Sequence, residues 1–274
     1  MAIGLSSLLF VPGSKPDRFD KALSTDADLI CIDLEDSVPA EGKASARAAA
    51  IAAIGRGDPR LVLRMNGVAT RAGIEDLLAL ADAPVRPPLL FVPMVESPAE
   101  IAIAVAILGD GAPGIVPLIE TVKGLGAAPA IATAPGVAAM MFGGGDFAAE
   151  LGVEIAWEPL RTARGLFAMA CAGAGIPAID VPFVRLDDAD GLRDETAAVK
   201  ALGFAAKAAI HPAQVDTINA LLRPTAEEIA EAQEAQRIYD AAGGAAVRFN
   251  GRMLEAPIMR RYQRILAMRS KQDA

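Results

Sequence analysis

The chain has 274 residues, 53 % apolar and 22 % charged, and carries a net charge of −8. This composition excludes a disordered chain, a coiled coil and a disulfide scaffold. The acidic balance excludes a general nucleic-acid binder, which needs a basic face for phosphates.

In chain order, the N-terminal MAIGLSSLLFVPGS lacks a basic region and a long apolar core, so no signal peptide is expected. Short apolar runs then alternate with helix-like segments. Ser7–Val11 precedes Asp17–Leu23, Leu29–Leu34 precedes Lys43–Ile54, and Leu61–Met65 precedes Gly73–Leu80. Leu89–Val92 precedes Ala99–Leu108, and Ile115–Ile119 precedes Val122–Thr133. Val137–Phe142 leads into one long helical region through Leu151 to Ala174. Ala178–Phe183 precedes Leu192–Leu202, and Ala208–Ile210 precedes Ala213–Leu222. The uncharged run Gly124–Gly145 is long enough to span a bilayer, but Pro129, Pro135 and its Gly/Ala content make it a helix, a turn and a buried strand. No membrane span is expected. Cys31 and Cys171, each inside an apolar stretch, fit a reducing cytoplasm.

Continuous apolar runs are the pattern of strands buried on both faces. Eight strand–helix units fit a closed (β/α)8 TIM-type barrel or an open doubly wound sheet. Residues 1–223 are read as this domain and 224–274 as a C-terminal helical extension. The extension has a helix over Thr225–Ala241, a turn and short extended piece over Gly243–Gly251, and a basic helix over Pro257–Met268.

Barrels place chemistry at the C-terminal ends of their strands. The polar residues there are Asp33, Glu35 and Asp36 after strand two, Arg64 and Asn66 on strand three, and Glu120 after strand five. Gly143-Gly144-Gly145-Asp146 follow strand six, Asp180 lies in strand seven, and His211 follows strand eight. Glu120 and Asp146 end consecutive strands, which lie about 4.8 Å apart. They either grip one hard cation such as Mg²⁺, or serve as a helix N-terminal acid and an N-cap. The single histidine, His211, excludes a multi-histidine site within one chain and is read as a structural strand-end residue rather than a general base. Arg64, within apolar LVLRMN, needs an anion: a substrate carboxylate or developing enolate, an internal pair with Glu35 or Asp36, or both. Glu35 and Asp36 orient metal waters, fix Arg64 or cap the next helix. Arg18, Lys21 and Lys43 are either solvated surface charge or phosphate contacts.

SSLLFVPGSKPDRFDKAL, ADLICIDLEDSVPAEGKASAR, LVLRMN, LIETVKG, MMFGGGDFAAELG, AIDVPFVRLDDADGLRDE, GFAAKAAIHPAQVDTIN and FNGRMLEAPIMRRYQRIL occur in order over nearly the whole chain. By these segments the chain resembles the citrate lyase beta-subunit-like proteins of the HpcH/HpaI aldolase superfamily, which includes malyl-CoA and citramalyl-CoA lyases. The resemblance implies a TIM-type barrel, a cytoplasmic homotrimer or hexamer, and Mg²⁺ held by Glu120 and Asp146. It also implies that Arg64 binds the acid or oxyanion and that Arg18, Lys21 and Lys43 meet coenzyme A phosphates. Related lyases carry a C-terminal Asp, in a MIDxP-like pattern, that reaches a neighbouring subunit's site; here MLEAP puts Glu255 at that position. The metal loop reads GGGD where many relatives carry GAED. The implied reaction is reversible, Mg²⁺-dependent cleavage of a citryl-, malyl- or citramalyl-type 3-hydroxyacyl-CoA to acetyl-CoA and a 2-oxo acid. The alternatives are a CoA thioesterase, a CoA-independent pyruvate-type aldolase, and a catalytically weak acyl-CoA-binding or lyase-complex subunit.

Overall fold

The computed structural model describes residues 5–272. The chain divides into two compact units, one through Ala220 and the other from Leu221. In the first, eight parallel strands form a closed barrel in sequence order. They are β1 (Ser7–Pro12), β2 (Leu29–Asp33), β3 (Leu61–Arg64), β4 (Leu89–Val92), β5 (Gly114–Ile119), β6 (Met140–Phe142), β7 (Ala178–Asp180) and β8 (Ala206–Ala209). The helices between them are α1 (Phe19–Leu23), α2 (Lys43–Ile54), α3 (Arg71–Ala81), α4 (Pro98–Leu108), α5 (Val122–Ala132), α6 (Gly144–Leu151), α7 (Trp157–Ala174) and α8 (Ala189–Leu202), with α9 (Val215–Leu222) after β8. The open doubly wound alternative is thereby excluded: β1 pairs with β8, Leu8 standing opposite Ala208.

Alternation along the strands fills the barrel. Leu8, Cys31, Val62, Phe91, Leu118, Met141, Ile179 and Ala208 belong to one buried cluster. The residues between them, such as Leu9, Ile30 and Ile32, are equally buried. Both faces are covered, so the runs read as continuously apolar. Helix starts follow local chemistry. At α4, Ser97 and Glu100 form a reciprocal capping box, with Pro98 as the first helical residue.

Several boundaries differ from the sequence reading. β8 begins at Ala206 because Lys207, which interrupts the apolar run, is fully buried within the strand. β7 ends at Asp180, and β6 starts at Met140, with Val137 making only an isolated bridge to Ile115. The region after β6 is two helices, because Gly152 closes α6 at φ 69°, a left-handed conformation suited to glycine.

The second unit contains α10 (Ala226–Ala241), an antiparallel hairpin of β9 (Val247–Phe249) and β10 (Arg252–Leu254), and α11 (Ala256–Gln272). The sequence reading had only a turn and one extended piece where the hairpin lies. Ala232, Ala235, Phe249, Leu254, Met259, Tyr262 and Ile265 form this unit's own core. Among the described residues, no helix is long and apolar enough to cross a membrane.

Candidate active site

At the C-terminal mouth of the barrel lies a cavity of about 430 Å³. Asp33, Asp36, Arg64, Glu120 and Asp146 all line it. These side chains come from the ends of β2, β3 and β5 and from α6, so residues far apart in sequence converge on one space.

The β2–β3 side is built around Arg64. Register places Asp33 beside Arg64. The guanidinium donates from Nε to Asp33 Oδ1 at 2.6 Å and from Nη2 to Asp33 Oδ2 at 2.8 Å. This bidentate fork is the strong form of an arginine–carboxylate pair. Its Nη1 lies 2.7 Å from Glu35 Oε2 and 3.2 Å from Asp36 Oδ2. The Phe10 ring lies 5.2 Å from the guanidinium. One cation therefore serves three carboxylates. Burial opposes ionisation of Asp33, but hydrogen bonds and charge from Arg64 prevail and hold its carboxyl below the usual range. Burial pushes Glu35 up to about 8 against the pull of Arg64, with Glu120, Asp36 and Asp33 adding repulsion.

On the other side, Glu120 is 3 % exposed. Its Oε2 accepts the Met94 backbone N–H at 2.7 Å, from a left-handed backbone position (φ 56°) that non-glycine residues seldom adopt. Glu120 does not act as an N-terminal helix acid: in α5 the Gly124 N–H goes to Thr121 Oγ1 and the Val122 N–H to Glu150 Oε2. Gly143 packs directly against Glu120, and a methyl group there would overlap Glu120 Cγ and Oε1. Asp146 lies in the first turn of α6 and is not its N-cap, which is Gly143. Burial pushes the Glu120 carboxyl up to about 7, with the charge of Asp146 adding to the effect against Met94 and Arg64. A buried carboxylate with a second carboxylate on the same cavity, and a glycine that keeps its oxygen uncovered, fits a hard cation. Among the described residues, no group of three or more potential metal ligands occurs. A two-carboxylate site would leave the remaining positions of such a cation to water and substrate, as Mg²⁺ prefers.

Other residues singled out in the sequence lie elsewhere. Lys43 Nζ donates to the Leu34 and Glu35 carbonyls at 2.8 and 2.6 Å and braces the loop after β2. Arg18 and Lys21 are exposed and do not line the cavity. Asn66 turns to buried Asp76, donating from both its backbone N–H and its Nδ2. His211 caps the turn after β8, its Nδ1 accepting the Ala213 N–H at 3.2 Å. Asp180, expected at the mouth, instead joins Arg164, Glu195 and Lys207 in a buried network: neighbouring Ile179 takes the inward position, so Asp180 lies on the opposite face. Glu255 is exposed in the second unit, between β10 and α11. The sequence reading missed Phe10 and Met94. Alternation from Leu8 carried a signal for Phe10; a backbone donor such as Met94 leaves none.

A family model described as HpcH/HpaI aldolase/citrate lyase matches residues 6–212, and one described as a C–C bond lyase of the TIM-barrel fold matches 157–272. The chain is 34 % identical to a (3S)-malyl-CoA thioesterase of Cereibacter sphaeroides, over 81 % of this chain and 79 % of that one. It is 32 % identical to an L-malyl-CoA/beta-methylmalyl-CoA lyase of the same species, over 90 % and 89 %. The structure of CitE from Mycobacterium tuberculosis in complex with magnesium, acetoacetate and coenzyme A superposes with a TM-score of 0.80 at 29 % identity, covering 97 % of this chain and 98 % of that one.

Proposed function

The chain belongs to the HpcH/HpaI aldolase/citrate lyase family, a family of carbon–carbon lyases, and from that membership we propose a Mg²⁺-dependent lyase that reversibly cleaves a 3-hydroxyacyl-CoA into acetyl-CoA and a 2-oxo acid. The observation that carries this reading is the placement of Glu120, Asp146 and Arg64 on one cavity. Glu120 and Asp146 would hold the cation. When bound, it supplies Lewis-acid polarisation and a template for the acid end of the substrate.

In the cleavage direction the substrate hydroxyl passes its proton to water in the open cavity, and its oxygen becomes the carbonyl of the released 2-oxo acid. The broken C–C bond leaves its electron pair on the thioester fragment as an enolate. Arg64, held by Asp33, presents a fixed positive charge to the negative charge that develops. Glu255 of a neighbouring subunit is the acid/base group we assign to the enolate carbon, delivering the proton that completes acetyl-CoA. Arg18 and Lys21 are the proposed coenzyme A phosphate contacts. The proposed assembly is a cytoplasmic homotrimer or a dimer of trimers, with residues 224–274 serving the oligomer and the site.

Purified protein given malyl-CoA, citramalyl-CoA and citryl-CoA, with and without Mg²⁺, tests the proposal. Acetyl-CoA plus a free 2-oxo acid is the expected outcome. Free CoA plus intact hydroxy acid would replace it with the thioesterase reading, which the malyl-CoA thioesterase likeness supports.

A further inference from the structure

Four charged side chains are buried together: Arg164 of α7, Asp180 of β7, Glu195 of α8 and Lys207 of β8. Their formal charges cancel, and none takes part in the chemistry proposed above. Replacing such a network whole by apolar side chains is often neutral or stabilising, so stability alone does not account for it. Both of its cations also reach beyond it. The Arg164 guanidinium lies 5.8 Å from the centre of the Phe142 ring, and Lys207 Nζ donates to the Val181 carbonyl at 2.7 Å.

Phe142 and Val181 are where the loop carrying Asp146 rests. A methyl group on Gly144 would meet Val181 Cγ1 at 3.0 Å, and Phe142 Cε1 and Leu160 Cδ1 at 3.3 Å. Phe147, next to Asp146, packs its ring 5.3 Å from that of Phe142. The Gly143 N–H is tied to the Ile119 carbonyl at 3.0 Å. Beyond that bond the loop has few anchors of its own. Gly143, Gly144 and Gly145 bring no side chains, a methyl group on Gly145 would touch nothing, and α6 has no side-chain cap. Glycine loses more conformational freedom on ordering than any other residue, so Asp146 is placed by what the loop rests on.

We propose, on the basis of the Mg²⁺-site reading above, that Arg164, Asp180, Glu195 and Lys207 are positioning residues for Asp146. Through Phe142 and Val181 they hold the three-glycine loop and the first turn of α6 in the cation-binding arrangement, and so set the affinity for Mg²⁺. Asp180 joins the two supports, since one of its oxygens accepts Arg164 Nε and the other Lys207 Nζ.

The test is calorimetric titration of Mg²⁺ into the unaltered protein, Arg164→Lys and Asp180→Asn. Arg164→Lys keeps the charge but loses the flat guanidinium beside Phe142. Asp180→Asn keeps the size but loosens the grip on both cations. Each should weaken Mg²⁺ binding by at least about tenfold, the effect of losing groups that hold a metal ligand in place. Leu80→Ala, on a buried side chain of α3, which has no member of the quartet, should lower stability and leave Mg²⁺ affinity unchanged. Adding Gly145→Ala to Arg164→Lys should recover roughly two- to fivefold in affinity, the gain from stiffening a glycine position. The same change alone should do little, because the loop is already held. Folded variants that bind Mg²⁺ as tightly as the unaltered protein, an equal loss in Leu80→Ala, or no recovery with Gly145→Ala would overturn the inference and leave the lyase reading standing. No Mg²⁺ binding by the unaltered protein would overturn both.

Discussion

Glu120 and Asp146 differ in burial, and their substitutions should separate accordingly. Glu120→Gln removes the buried charge but keeps an oxygen for the Met94 N–H. Asp146→Asn changes an exposed position. Both should abolish Mg²⁺-dependent turnover and calorimetric Mg²⁺ binding while shifting stability by no more than about 1–2 kcal/mol. Near-normal Mg²⁺ binding by either variant would remove that residue from the site. Gly143→Ala probes the same place sterically. Its added methyl group overlaps Glu120 Cγ, so Mg²⁺ affinity should fall by at least about tenfold, because a displacement of about 1 Å is costly at a built site. Arg64→Lys keeps the charge but loses the fork to Asp33, and turnover should fall about 10²- to 10³-fold, as for loss of one oxyanion donor. At Glu255, alanine should lower cleavage sharply, while aspartate, the residue of the resembled lyases, should retain it. Progress curves of acetyl-CoA release read both.

The elements show where the sequence was legible. β2 to β5 were readable because strands covered on both faces carry unbroken apolar runs. The place of Glu120 and Asp146 on the cavity was readable because Glu120 follows such a run directly and Asp146 follows one after three glycines. Two misreadings share one cause, a charge within a strand that faces the helix layer. Lys207 hid the start of β8, and Asp180 read as a mouth residue because the parity of a three-residue strand is hard to fix without its neighbours. The charge network behind β7 and β8 explains both. Lys207 Nζ donates to Asp180 Oδ2 at 2.6 Å and to Glu195 Oε1 at 2.7 Å, and Arg164 Nε donates to Asp180 Oδ1 at 2.7 Å. Burial opposes the Asp180 charge, but Lys207 and Arg164 hold its carboxyl below the usual range. The stability this gives is present above the ordinary aspartate pKa and is lost as pH falls through the lowered value. Lys207→Met should cost about 3–5 kcal/mol in denaturant unfolding, since it leaves two buried carboxylates, Asp180 and Glu195, to share Arg164 alone. A cost below about 1 kcal/mol would show that the network relaxes easily.

At the scale of the whole molecule, stability and cation binding are linked through pH. Glu120 and Glu35 stand at about 7 and about 8 without a cation, above the ordinary glutamate value of 4.5. Groups raised on folding stabilise the fold below their unfolded value, and that contribution is lost as pH rises through the folded value. The cation-free protein should therefore lose stability between about pH 4.5 and 8. Mg²⁺ must displace the Glu120 proton, so its affinity should rise about tenfold from pH 6 to 8 and level off above. Melting curves at several pH values, with and without Mg²⁺, check both signs. An Mg²⁺-induced shift that is the same at pH 6 and pH 8 would contradict the assignment of Glu120.

Cys31 points into the barrel between the β1 and β3 side chains, fully shielded, and burial raises its thiol well above the ordinary value, with Asp33 adding to the rise. Cys171 is buried on α7, its thiol raised by burial to about 12. A thiol reagent needs the thiolate and a path to it, and the closed ring of strands denies Cys31 both. Labelling of Cys31 then counts barrel-opening events. In a Cys171→Ala background, the rate of modification should equal the unfolding rate at saturating reagent and slow when Mg²⁺ is added, giving a clock for the lifetime of the intact ring.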